Sequence, residues 1–322
     1  MDKLKIVILE RNSVGADVDV SCFEKLGDVT VYNTTEPSQI ADRVKDADIV
    51  LINKSPINKD TIGNAEKIKL VGEFATGFDN VDIAYCKERG IAVTNVRGYS
   101  TSAVVQHTFA LALYVTEHLK YYDEYVKSGA YASQDFFTHY GRTFTELDGK
   151  TWGIIGMGNI GRGVAKVAES FGCKVIWYSA SGSSRDEGYE RVDTLEELLK
   201  TSDYVSLHCP LNEKTKYMIN KYTLPLMKKT AILINVARGA VVNNEDLKDA
   251  LDKNIIAGAG LDVLDGEPMR KDNPLGKFMD SDRLLITPHM AWASTEARNR
   301  CIKEAYLNLE AFIKGEERCR VI

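Results

Sequence analysis

The sequence predicts an α/β protein of two parallel-sheet domains, one inserted into the other. Three observations carry this. Short β-branched runs alternate with polar, helix-compatible stretches along most of the chain, the pattern of strands covered by helices on both faces. Gly156, Gly158 and Gly161 fall at the spacing G-x-G-x-x-G where the strand-like run Thr151 to Ile155 gives way to a helical pattern. The 322 residues also exceed one ordinary core, at roughly 150 residues per domain.

Lys5 to Leu9, Val29 to Tyr32, Ile49 to Ile52, Leu70 to Phe74 and Ala92 to Asn95 read as five strands of a first compact unit. This unit has no glycine fingerprint of its own. Its fourth strand runs into Ala75-Thr76-Gly77-Phe78-Asp79-Asn80, a small, polar loop at the edge where open α/β sheets place ligands. Thr101 to Lys127 then continue for 27 residues without Pro or Gly. Val104, Val105, Thr108, Leu111, Ala112 and Val115 recur there at helical spacing, which predicts one long helix carrying the chain into the second domain. His107, near that stripe, reads as a satisfied core histidine rather than a catalytic one. Residues 128–147, rich in Tyr, Phe, Gly and Ser, read as an irregular arm whose aromatics suit a subunit contact.

In the glycine motif each glycine has its own task. The first permits the tight turn, the second lets a pyrophosphate approach the backbone, and the third lets the helix pack close to the strand. The phosphates would sit at the helix N-terminus, where unpaired amides and the helix dipole favour negative charge. The motif therefore predicts dinucleotide binding at Gly156, Met157, Gly158, Asn159, Ile160 and Gly161. Lys174 to Tyr178, Tyr204 to His208, Ala231 to Asn235, Ile256 to Leu261 and Leu284 to Ile286 bring the second sheet to six strands, the number of a full dinucleotide-binding sheet. The last helical pattern, Ser294 to Lys314, exceeds what that sheet needs and is expected to return to the first domain. The expected division is 1–100 with 293–322, and 101–292, the two linkers forming a hinge.

Composition narrows the function. Net charge is −5 with no basic block, so nucleic acid has no electrostatic footprint. No apolar run is long enough to span a bilayer, and the opening residues lead straight into a strand rather than a signal peptide. The six cysteines are scattered without metal-ligand spacing, which predicts no metal site, free thiols and a reducing cytoplasm.

The second strand of the cofactor sheet bears on cofactor choice. NAD-binding folds usually end it with an acidic residue that bonds the adenosine ribose, but here Ser179 stands at that position. A carboxylate repels a 2′-phosphate, whereas serines and Arg185 would accept one. The sequence thus leans towards NADP over NAD, with Asp186 and Glu187 keeping NAD open.

Three stretches follow late strands: Asn235-Val236-Ala237-Arg238-Gly239, Gly260-Leu261-Asp262 through Glu267-Pro268, and Thr287-Pro288-His289-Met290-Ala291-Trp292. They offer a cation, a carboxylate and an imidazole. Reducing a 2-oxo acid needs a fixed cation to orient the carboxylate and polarise the ketone, and a proton donor to meet the arriving hydride. Arg238 is always charged and forked. His289 beside Glu267 would be held in its charged form, since a neighbouring carboxylate favours the imidazolium. His208, followed by Cys209-Pro210, reads as cofactor-pocket wall.

The glycine motif, Asn-Val-Ala-Arg-Gly, Gly-Leu-Asp-Val…Glu-Pro and Pro-His-Met-Ala-Trp, in this order, resemble the D-isomer-specific 2-hydroxyacid dehydrogenase family over nearly the whole chain. The resemblance implies a Rossmann-type cofactor domain inserted into a flavodoxin-like substrate domain, a cleft between them, and a homodimer. It implies that Arg238 binds the substrate carboxylate and carbonyl, Glu267 tunes the histidine, and His289 is the acid in reduction and the base in oxidation. Ala75, Thr76 and Gly77 would meet the substrate carboxylate, and Trp292 would narrow the pocket. Thr108, Ser179, His208, Cys209, Pro210, Thr215, Val236, Ala237, Arg238, Asp262, His289 and Ala291 would line the cofactor pocket. Within the family, Gln106-His107-Thr108-Phe109-Ala110 and His289-Met290-Ala291-Trp292 are worded most like glycerate dehydrogenases, also called hydroxypyruvate reductases. The expected substrates are hydroxypyruvate or glyoxylate, with lactate-type, aryl 2-oxo acid and phosphite chemistry as same-fold alternatives. A dinucleotide-sensing, corepressor-like binding protein is the alternative from another class.

Overall fold

The computed structural model describes residues 3–182 and 188–322. The chain divides into two compact units, Met1–Ser100 with Trp292–Ile322, and Thr101–Ala291.

In the first unit, β1 (Lys5–Ile8), β2 (Asp28–Val31), β3 (Ile49–Ile52), β4 (Leu70–Glu73) and β5 (Ala92–Thr94) form a sheet in the order β2-β1-β3-β4-β5. Every pairing is parallel. β3 and β4 are buried along their whole length, and β3 accordingly reads as an unbroken apolar run rather than as alternation. Short helices α1 (Ile40–Val44), α2 (Lys59–Ile62) and α3 (Ile83–Glu88) lie between the strands. The Asn58 and Asp82 side chains cap α2 and α3 by accepting amides of their first turns, supplying partners that the helix lacks.

In the second unit, α4 (Thr101–Thr116) is followed by α5 (Leu119–Lys127). The long helix expected over Thr101 to Lys127 is therefore two helices. The break falls at His118, whose φ of 51° is left-handed, and its imidazole lies 3.2 Å from Asp282. Asp282 lies 164 positions away in sequence, so no local breaker marks the break. β6 (Thr151–Ile155), α6 (Asn159–Ser170), β7 (Lys174–Tyr178), β8 (Glu190–Arg191), α7 (Leu195–Thr201), β9 (Tyr204–Leu207), β10 (Ile232–Asn235), α8 (Asn244–Asp252), β11 (Gly258–Leu261) and β12 (Leu284–Ile286) follow. The sheet order is β12-β11-β10-β9-β6-β7-β8, and all pairings are parallel. It carries one strand more than the six expected. The addition, β8, is two exposed, charged residues on the edge with no apolar signal to betray it.

This doubly wound order reverses between β6 and β9, the switch point where such sheets bind ligands at their carboxyl ends. The core beneath it holds Trp152, fully buried and stacked on Tyr204 with ring centroids 5.0 Å apart, and Val164, Ala165 and Ala168 from the inner face of α6. The chain then re-enters the first unit as α9 (Thr295–Ile313), capped by Ser294. Arg298 of α9 pairs with Asp17, and Leu309 reaches the β4 backbone at Gly72.

Candidate active site

β6, β9, β10, β11 and β12 run parallel in one sheet, so the residues just beyond their ends share its carboxyl edge. Gly156 follows β6 with φ +100°, and a Cβ there would lie 2.9 Å from the His208 and Cys209 backbone. At Gly161 a Cβ would lie 2.2 Å from the Gly156 carbonyl oxygen, so only glycine lets α6 close on the turn. Gly158 differs: among the described residues, its chain neighbours aside, nothing lies within 4 Å of where its Cβ would be. Its missing side chain serves no internal packing, which fits a phosphate approaching the N-terminus of α6. The Met157 side chain is buried in the core beneath, and Ile160 packs on the same cluster, which leaves their backbone for a cofactor. The Asn159 side chain accepts from Arg162 at 2.7 Å. Arg162 places a cation on the first turn beside the glycines, and its value was not legible from spacing alone.

Ser179 ends the β7 limb, buried, with Oγ 3.3 Å from that of Ser181. Arg185, Asp186 and Glu187 lie outside the described residues. His208 follows β9. Its Nε2 lies 3.0 Å from Ser206 Oγ, which also accepts the Trp152 indole N–H at 2.9 Å. Burial pushes the His208 pKa down to about 3, so the ring is neutral at physiological pH and forms wall rather than acid. Cys209 is a buried thiol whose pKa is pushed up to about 11 by desolvation. Pro210 is exposed, and its carbonyl accepts the Thr215 hydroxyl at 2.7 Å. Thr215 is fully buried and closes that turn. Thr108 is likewise fully buried, its hydroxyl donating to Val104 in its own helix at 2.8 Å.

The β10 limb ends in a turn made by Asn235. Its Nδ2 donates to the Arg238 carbonyl and its Oδ1 accepts the Ala237 amide, both at 3.0 Å. Val236 and Ala237 are half-buried along this turn. A Cβ at Gly239 would fall 1.8 Å from the Leu264 carbonyl oxygen, so the Arg238 turn packs backbone to backbone against the segment leading to Glu267. The Arg238 Nη1 donates to the Ala237 carbonyl at 2.9 Å.

Asp262, 2% exposed at the end of β11, organises the next limb. Its Oδ1 accepts the Thr287 hydroxyl at 2.6 Å and the Met290 amide at 2.8 Å, and its Oδ2 accepts the Ala291 amide at 2.8 Å. Its backbone carbonyl accepts the His289 amide at 2.8 Å. His107 Nε2 joins this network, 2.9 Å from Thr287 Oγ1. The residue expected in an apolar core is thus satisfied, but within a polar network under the active edge. The turn so held puts His289 at φ 54°, a left-handed conformation uncommon outside glycine. His289 Nδ1 then lies 2.6 Å from Glu267 Oε2, both side chains about one-third exposed. Glu267 Oε1 accepts the Leu264 amide at 2.8 Å. Because an ionised carboxylate only accepts, this contact gives the proton to Nδ1.

Two expected site elements lie in the other unit. Trp292 sets its ring edge-on to Tyr99, centroids 6.3 Å apart. In the Ala75–Gly77 loop, Val96 donates to the Ala75 carbonyl at 2.9 Å, Asn95 to that of Thr76 at 2.7 Å, and the Thr76 hydroxyl to the Val96 carbonyl at 2.7 Å. Among the described residues there is no group of three or more His, Cys, Asp or Glu that could hold a metal ion, and no helix is long and apolar enough to cross a membrane.

A glycine turn at the switch point of such a sheet, with a histidine–carboxylate pair and an arginine on the same edge, defines a dinucleotide-dependent oxidoreductase. The chain belongs to the D-isomer specific 2-hydroxyacid dehydrogenase family: residues 109–291 match the model of that family's NAD binding domain. It is similar to a hydroxypyruvate reductase of Blautia hydrogenotrophica, with 38% identity across 97% of this chain and 98% of the relative. Among solved structures it is similar to an acyclic imino acid reductase in complex with NADPH and D-arginine, with TM-score 0.88 and 30% identity over 99% of this chain and 100% of the other. It is also similar to D-lactate dehydrogenase from Aquifex aeolicus complexed with NAD and lactic acid, with TM-score 0.84 and 30% identity over 97% and 96% of the two chains.

Proposed function

We propose that this 2-hydroxyacid dehydrogenase reduces hydroxypyruvate or glyoxylate to the corresponding 2-hydroxy acid, using NADP in preference to NAD. The observation that carries the reading is the 2.6 Å contact of His289 with Glu267, on the edge that also holds Arg238 and the glycine turn. Bound at that turn, NAD(P)H supplies the hydride. The Arg238 guanidinium holds the 2-oxo acid by its carboxylate and draws charge towards the carbonyl oxygen. Glu267 fixes the imidazole through Nδ1, so His289 Nε2 gives the proton to the carbonyl oxygen in reduction and takes it back from the hydroxyl in oxidation. The amides of Ala75–Gly77 add neutral donors for the carboxylate, and Trp292 limits the size of the acid.

The NADP preference rests on Ser179, a hydroxyl in a buried position where a carboxylate would oppose a 2′-phosphate. The similar solved structures include one with NADPH and one with NAD, so the fold itself admits both. A homodimer is supported by the arm, where Phe136, Phe137 and Tyr140 are 77%, 88% and 83% exposed, more apolar ring than a monomer ordinarily leaves in water. Sedimentation of the purified protein would return twice the chain mass, and a monomer at micromolar concentration would refute this part. The cysteines are free thiols, as a reducing cytoplasm would keep them. The testing experiment is a set of initial rates with NADPH and NADH against hydroxypyruvate, glyoxylate, pyruvate and an aryl 2-oxo acid. The first two acids with NADPH are expected to give the highest kcat/KM. Tight cofactor binding without turnover of any acid would instead favour a dinucleotide sensor.

A further inference from the structure

Under the Ala75–Asn80 loop the first unit buries an acid that the reaction does not require. Glu73, the last residue of β4, is 1% exposed. Asn80 Nδ2 donates to its Oε2 at 3.2 Å and to the Ser55 carbonyl at 3.0 Å. The same Asn80 gives its backbone carbonyl to the Ile57 amide at 2.9 Å. The segment after β3 is gripped from the other side by Glu10, whose carboxylate accepts the amides of Lys54 and Ser55. Two buried polar atoms in this cluster, Glu73 Oε1 and Ser55 Oγ, have no hydrogen-bond partner among the described residues. Asn80 thus joins the Glu73 carboxyl to the segment after β3, which Glu10 holds in turn.

The charged and titratable groups facing Glu73 are Glu10 after β1, Lys54 after β3, Asp79 in the loop, and Cys301 of α9. Cys301 Sγ donates to the Phe74 carbonyl at 3.2 Å. Burial disfavours the negative charge by more than the Asn80 hydrogen bond favours it, and two carboxylates against one ammonium disfavour it further, so the Glu73 pKa is pushed up to about 9. Neutral Glu73 has a carbonyl-like Oε2 to accept from Asn80 and an O–H at Oε1. Ionised, it would be a buried anion beside Glu10 and Asp79 with one hydrogen bond to hold it.

We propose that Glu73 is a positioning residue: through Asn80 it ties the Ala75–Asn80 loop to the segment after β3, and this buried arrangement, crowded by Glu10 and Asp79, is kept only while its carboxyl is protonated. The proposal rests on the reading of that loop as part of the substrate site. Its consequence is a substrate affinity that falls in alkaline solution for a reason separate from His289.

The test measures kcat and KM for hydroxypyruvate between pH 6.5 and 10 in wild type, Glu73→Gln and Asn80→Ala. Glutamine keeps the shape and hydrogen bonds of the neutral acid but cannot ionise. The wild-type KM is expected to rise, relative to that of Glu73→Gln, by about tenfold per unit above roughly pH 9, with the kcat ratio staying within a few-fold. Asn80→Ala removes both side-chain hydrogen bonds and is expected to raise KM at least several-fold at every pH. Parallel KM–pH curves for wild type and Glu73→Gln, or an unchanged KM in Asn80→Ala, would overturn the proposal. Millisecond hydrogen exchange of the 74–81 segment without substrate reads this arrangement directly. Its protection factors are expected to fall as pH rises from roughly 5 towards 9 in wild type and not in Glu73→Gln, and an equal drop in both overturns the proposal. If wild type turned over no 2-oxo acid, the functional reading would fail while the exchange measurement still decided the role of Glu73.

Discussion

His289 Nδ1 stands 2.6 Å from Glu267 Oε2, while the other oxygen of that carboxylate takes the Leu264 amide at 2.8 Å. The carboxylate is therefore anchored before it meets the imidazole. From the other side, Asp262 holds the His289 turn through four hydrogen bonds to residues 287–291. Ring orientation and tautomer are both fixed by groups that need not touch substrate.

Replacing His289 by glutamine removes the transferable proton without adding charge. Turnover is expected to fall by about 10²–10⁴-fold, the usual contribution of general acid–base catalysis, while the cofactor Kd, read by NAD(P)H fluorescence, changes by less than a few-fold. Turnover close to wild type would remove His289 from its role.

Arg238→Lys keeps the charge and loses the fork. Charge-assisted hydrogen bonds contribute about 1.5–3 kcal/mol, so KM for the 2-oxo acid is expected to rise by roughly 10–100-fold. The same change is expected to raise KM for the 2-oxo acid by more than it raises the cofactor Kd, measured by titration without substrate.

Ser179→Asp restores the carboxylate that the β7 limb lacks. The ratio of kcat/KM for NADPH to that for NADH is expected to fall by at least about tenfold, since a carboxylate close to a phosphate costs more than ~1.4 kcal/mol at intermediate dielectric. An unchanged ratio would place cofactor discrimination elsewhere.

Glu73 makes stability depend on pH in the direction opposite to a salt-bridged carboxylate. Its folded-state pKa, about 9, lies above the ordinary value of 4.5. Between those values the unfolded chain has released the proton and the native state keeps it, so stability falls as pH rises. Glu73→Gln does not carry this penalty. Its unfolding free energy relative to wild type is expected to improve by about 1.4 kcal/mol per pH unit between roughly pH 5 and 9, read as denaturant midpoints at pH 5, 7 and 8.5. A difference independent of pH would mean that Glu73 ionises within the fold.

The two parallel sheets were legible because their central strands are buried on both faces and read as β-branched runs, and because three glycines mark the turn after β6. What failed to show in sequence depended on distant partners. The break before α5 is made at His118, where no glycine stands and the pairing aspartate is Asp282. β8 consists of two charged residues and carries no hydrophobic pattern. His107 looked like a core histidine because its partners, Thr287 and Asp262, lie more than 150 positions away. Nothing in the sequence singles out Glu73, since its enclosure near Glu10, Asn80 and Cys301 exists only in the folded unit. Asp262 and Asn235 were visible as letters of motifs, but their work in shaping the His289 and Arg238 turns required hydrogen-bond geometry.

The central claim is that an arginine and a carboxylate-held histidine on this sheet edge reduce a small 2-oxo acid. It is tested most directly by following NADPH and NADH absorbance on mixing the purified protein with hydroxypyruvate or glyoxylate, wild type against His289→Gln. The account predicts rapid substrate-dependent cofactor oxidation by wild type and a rate at least about a hundredfold lower for the variant. No oxidation with either acid and either cofactor, or equal rates in the two proteins, would contradict it.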